Sequence, residues 1–78
     1  MQDMPNEELI QQVVMATKQL AQESLSGEVD GKAVAERLGI DPESADLHYA
    51  FKFAEERGRI RVGGWEGSMG LPYMIKVP

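Results

Sequence analysis

The sequence predicts a small α+β domain in which three helices are followed by a C-terminal β-hairpin. Two observations carry that expectation. Apolar residues recur at helical spacing in three segments set apart by glycine- and proline-containing breaks, and the C-terminal segment switches to strand-like alternation on both sides of GGWEGSMG. The 78 residues suffice for one domain with a modest core.

The first helix is expected over Glu7–Ser24. Asn6 is a good N-cap, and Glu7 and Glu8 lie in the first turn, where the helix dipole favours acids. Leu9, Ile10, Val13, Val14, Thr17, Leu20 and Ala21 form its apolar face. The stretch LSGEVDG breaks the pattern, with Gly27 and Gly31 as turn residues and Val29 between them as a lone inward residue of a very short strand. Asp30 then caps a helix over Lys32–Leu38 that buries Val34, Ala35 and Leu38, and Gly39 ends it in the left-handed conformation with Ile40 tucked back.

Asp41-Pro42 reads as a cap followed by proline at the first helical position, so a third helix is expected from Pro42 to Gly58 after only two intervening residues. Leu47, Ala50, Phe51 and Ala54 share one of its faces, while Tyr49 and Phe53 share another. RIRVGG and LPYMIKV alternate as two strands, the second with Tyr73, Ile75 and Val77 on one side. Met15 and Met74 are assigned to core packing. No repeat or low-complexity tract occurs.

This order resembles a winged helix-turn-helix domain: a three-helix bundle with a helix-turn-helix and a C-terminal hairpin wing. The residues that carry the resemblance are VDGKAVAERLGIDPESADLHYAFKFAEERGRIRV. The small apolar pair Val34-Ala35, the Leu38-Gly39-Ile40 turn and the charged run Glu55-Glu56-Arg57-Gly58-Arg59-Ile60 match that superfamily's pattern, and the likeness extends over residues 25–77. It implies a single domain over 1–78, with 1–5 expected to be flexible, and makes GGWEGSMG the wing. The glycines suit a tight tip. Trp65, the only tryptophan, is either folded back on the hairpin or displayed to a partner, and the stability gained by burying a large aromatic favours folding back.

Composition narrows the function classes. With no cysteine, a disulfide framework, a thiolate zinc site and a cysteine nucleophile are excluded. His48 stands alone without a metal-type partner at helical spacing and is expected at the surface, with no metal and no cofactor. No run is long and apolar enough for a membrane span, and MQDMPNEE lacks the basic start and apolar centre of a secretion signal, so a cytoplasmic protein away from membranes is expected. The start at Met1 favours a whole protein or an N-terminal domain, and the end at Pro78 fits an excised domain as well. Enzyme machinery is missing: GGWEGSMG lacks the lysine of a phosphate loop, and Ser44 with His48 has no orienting acid or oxyanion hole.

The winged-helix resemblance implies double-stranded DNA as partner and transcriptional regulation as role, with the third helix in the major groove. Carried onto this chain, the presented residues are Ser44, Ala45, His48, Tyr49 and Lys52, supported at the wing by Arg59, Arg61 and Lys76. Charge opposes strong binding. The net charge is −5, only residues 59–78 are net basic, at +2, and Glu43 and Asp46 sit at the end of the helix that would meet DNA. Duplex affinity rests largely on neutralised phosphates, so binding is expected to be weak and salt-sensitive. The alternative is an acidic winged-helix module for protein interaction through Trp65, Met69, Leu71 and Tyr73, with Tyr49 and Phe53. A homodimer through the first helix is compatible with both. Tyr49 and Phe53 are the best candidates for exposed aromatics, although cover by the hairpin or first helix is favoured.

Overall fold

The computed structural model describes residues 6–78, so the expectation for 1–5 lies outside the described residues. The chain forms α1 (Glu7–Glu23), α2 (Gly31–Leu38), α3 (Ala45–Glu56), β1 (Gly64–Trp65) and β2 (Pro72–Tyr73), an α+β arrangement of three helices and a two-stranded antiparallel hairpin.

Local capping chemistry sets the helix limits. The Asn6 side chain accepts a hydrogen bond from the Leu9 N–H at 3.1 Å and so satisfies an otherwise orphan donor at the start of α1. Leu9, Ile10, Val13, Val14, Ala16 and Thr17 are buried along one face of α1. Thr17 tolerates full burial because its hydroxyl donates to the Val13 carbonyl at 2.8 Å. Asp30 caps α2 through the Lys32 N–H at 3.2 Å. Gly39 ends α2 at φ 69°, a left-handed conformation that costs glycine little, and the Ile40 N–H returns to the Ala35 carbonyl at 2.9 Å.

The third helix begins later than expected. Asp41-Pro42 makes a turn instead of a first helical turn: the Glu43 N–H donates to Asp41 Oδ1 at 2.9 Å, and the Ser44 N–H to the Asp41 carbonyl at 3.0 Å. Proline's fixed φ suits the second position of such a turn as well as it suits a helix start. Ser44 is extended, and its hydroxyl accepts from the Leu47 N–H, which makes Ser44 the cap of α3. The connection between α2 and α3 therefore spans residues 39–44.

The hairpin also departs from simple alternation. Gly64 pairs with Tyr73 and Trp65 with Pro72, while Arg61 and Lys76 form an isolated bridge. Between these pairs Met74 adopts φ 54°, and the Gly63 N–H is shared between the Tyr73 and Met74 carbonyls at 3.1 and 3.2 Å. The kink leaves Tyr73 and Met74 both exposed and Ile75 fully buried, so Tyr73 does not share a side with Ile75 as the alternation implied. Val29 bridges Ile75 by two 2.8 Å hydrogen bonds and ties the α1–α2 connection to the hairpin, in the inward role expected of it.

The core joins α1, α2, α3 and the hairpin around Val13, Val14, Val34, Leu47, Phe51, Ile60 and Ile75. Met15 and Met74 lie outside it, each more than half exposed, because α1 turns Met15 away from α2 and α3 and the kink turns Met74 outward. Arg57 clamps the end of α3 to the start of α1 through two hydrogen bonds to Glu7, at 2.7 and 2.8 Å. Those bonds hold the Glu7 carboxyl below its ordinary range, with the guanidinium charge adding to the effect. A lowered folded-state pKa contributes stability that is present above the ordinary glutamate pKa and is lost as pH falls through the lowered one. Arg57→Gln is expected to return the Glu7 titration, followed by side-chain carboxyl NMR, to the ordinary range. An unmoved titration would contradict the clamp.

Candidate functional site

The outward side of α3 and the hairpin meet around one buried ring. His48 lies one turn into α3 and is 3% exposed, whereas an isolated histidine was expected at the surface. The hairpin covers it. His48 Nδ1 lies 2.9 Å from the Gly70 carbonyl, and because a carbonyl only accepts, the Nδ1 proton is the one shared. Gly70 is needed for close approach, since a Cβ there would collide with the Glu66 carbonyl across the loop. The loop closes through the Glu66 N–H and the Leu71 carbonyl at 3.1 Å.

Trp65 completes the cover. It is half-buried against the core, with its ring edge-on to His48 at a centroid distance of 5.4 Å. The Lys52 ammonium sits 4.5 Å from the centre of the Trp65 ring, within cation–π reach. Trp65 is thus folded back, specifically onto α3, and it lies in β1 instead of at the loop tip. His48 and Lys52 stand four apart on one helical face, and the hairpin lays its indole across both.

The other candidate residues separate into distinct places. Ser44 is spent on capping, and Ala45 is exposed beside it. Tyr49 is 51% exposed, its ring edge-on to His48 at 5.3 Å, so the hairpin leaves it uncovered. Phe53 is half-buried with the Arg57 guanidinium 5.9 Å from its ring centre. Leu71, expected on the wing surface, is 4% exposed and belongs to the core, because the loop turns back into the domain there. Met69 is 46% exposed at the loop. Tyr73 lies across Gly64, whose missing side chain leaves room for the phenol ring, and keeps its other side open.

Among the described residues, four of the eight cations are engaged. Lys76 lies 3.8 Å from Glu28, Arg37 pairs with Glu23 at 3.1 Å, Arg57 pairs with Glu7, and Lys52 covers Trp65. Arg59 and Arg61 are exposed where α3 leads into the hairpin. Glu43, Glu66 and Lys32 line one groove with Met69, and Asp46 stands one turn before Tyr49 on α3. No group of three metal-type ligands gathers among the described residues, and no described helix is long and apolar enough to cross a membrane.

The contact between His48 and the Gly70 carbonyl is the feature that sequence reasoning missed. Its partners stand 22 residues apart, and a backbone carbonyl carries no residue-type signature. The available hint was the spacing of His48 and Lys52 opposite a lone tryptophan in a glycine-rich segment. Comparison of the chain with family models, curated proteins and solved structures finds no match.

Proposed function

We propose that the protein is a winged-helix module that binds another protein through the outward strip of α3 and the adjoining hairpin loop. The observation that carries this reading is the division of the surface. The ion pairs and the Trp65 contact engage Arg37, Arg57, Lys76 and Lys52, while Tyr49 and Met69 are exposed, Met69 with Glu43 and Glu66 in its groove and Tyr49 one turn after Asp46. Exposed aromatic and methionine side chains with a charged rim are favourable material for a protein interface, and a face on which carboxylates outnumber cations is poor material for a phosphate backbone. The winged-helix reading is supported by the order of three helices and a hairpin and by the hairpin's position against α3.

A second reading, DNA binding by α3 and the wing, draws on the same order of elements and on the exposed Arg59 and Arg61. One titration separates the two. Nitrogen-15-labelled protein is mixed with a mixed-sequence DNA duplex at low salt. The protein-interaction reading predicts no salt-reversible shifts. Shifts confined to residues 45–56 and 59–70 and erased by added salt would overturn it in favour of DNA.

A further inference from the structure

We propose that the partner presents a basic segment, a short stretch of chain that combines arginine or lysine with a large apolar side chain. It would seat in the groove between the α2–α3 connection and the hairpin loop. This deepens the protein-interaction reading and rests on it.

The groove has a volume of about 580 Å³ and is lined by Lys32, Pro42, Glu43, Glu66, Met69 and Leu71, together with Gly70. Pro42, Met69 and the core residue Leu71 supply apolar surface, and the unbranched thioether of Met69 can adapt to the shape of an incoming side chain. Glu43 comes from the connection before α3 and Glu66 from the hairpin loop, so the two carboxylates approach the groove from different elements. Neither is in an ion pair among the described residues. Lys32 is the single cation of the lining, which leaves the lining net negative in a chain of net charge −5. A lining that is in part apolar suits an apolar side chain, and its unpaired carboxylates suit a cation. Complementary charge also steers the encounter and disfavours acidic competitors.

The backbone holds the groove without using either carboxylate. The Glu43 N–H bonds Asp41, the Glu66 N–H bonds Leu71, and His48 ties the loop to α3 through Gly70. Both glutamates are exposed, so neutralising them should leave the fold intact.

The test uses labelled protein and three short synthetic peptides: arginine alternating with leucine, glutamate alternating with leucine, and arginine alternating with serine. The expected result is shifts at residues 42–43 and 66–71 with the arginine–leucine peptide, and weaker binding of the other two. Glu43→Gln and Glu66→Gln should each weaken the arginine–leucine peptide by about two- to fivefold at low salt, and that difference should shrink as salt is added. Equal binding of the glutamate–leucine peptide, shifts mapping to the acids of α1, or no binding at all would overturn the proposal. If no peptide binds but a photo-cross-linking side chain placed at Tyr49 captures a protein in cells, the basic segment is wrong and the protein-interaction reading stands. Salt-reversible shifts with duplex DNA would instead remove the reading beneath it.

Discussion

Phe51→Ala is expected to lower the thermal unfolding midpoint by at least about 12 °C, read by circular dichroism at 222 nm (about the helical minimum). Phe51 is fully buried and heads the largest side chains of the core, where α3 faces α1. Truncating a buried phenylalanine costs about 3–5 kcal/mol, from lost transfer energy and from the cavity left behind. A domain of this size has little stability to spare, since native proteins hold only about 5–15 kcal/mol in all. Substitution by leucine should restore most of the midpoint, because it refills most of the volume. A fall below about 4 °C for the alanine variant would mean that the helices are not packed around this ring.

Trp65→Ala is expected to cost about 2 kcal/mol and lower the midpoint by about 8–16 °C, while the helical signal at low temperature stays intact. The indole holds the hairpin to α3 through its edge contact with His48 and its place under the Lys52 ammonium. Without it, the Gly70 carbonyl is left as the direct polar tie between the loop and His48, in a loop open to water. The His48 ring resonances should shift toward solvent-exposed values. Trp65→Phe, which keeps an aromatic edge, should retain part of both effects. An unchanged melt with unchanged His48 resonances would show that docking of the hairpin does not depend on Trp65. The distinction bears on the two functional readings, because an undocked hairpin would uncover His48 and Lys52, two of the residues proposed in the DNA reading.

Those two side chains also mark what the sequence makes legible. Phe51 was recognisable as core because Leu47, Ala50 and Ala54 share its helical face, and helix periodicity is local information. The caps Asn6 and Asp30 and the left-handed Gly39 were legible for the same reason: each satisfies backbone groups within a few residues of itself. Asp41-Pro42 was misassigned because one pair of residues serves equally as a helix start and as a turn, and Ser44 three residues on offered a competing cap. Leu71 is buried against expectation because the loop turns back into the domain, and Tyr73 does not share a side with Ile75 because Met74 takes a left-handed conformation that no residue preference announces. His48 is buried by a carbonyl far along the chain, and Met15 and Met74, though apolar, lie on the outside. At His48 and Leu71 the deciding contacts are tertiary, whereas at Asp41-Pro42 they are local but fit two readings. The elements of the candidate surface could therefore be named in advance, but its division into a docked stack and an open acidic, apolar strip could not.

The most direct measurement of the interaction claim places a photo-cross-linking phenylalanine analogue at Tyr49 and, separately, at Gln12, an exposed position on α1, in cells that express the protein. An adduct that forms at position 49, is absent from position 12, contains a second protein and is lost on Met69→Asp is the predicted result. Equal adducts at the two positions, or an adduct at 49 that carries nucleic acid in place of protein, would contradict the account.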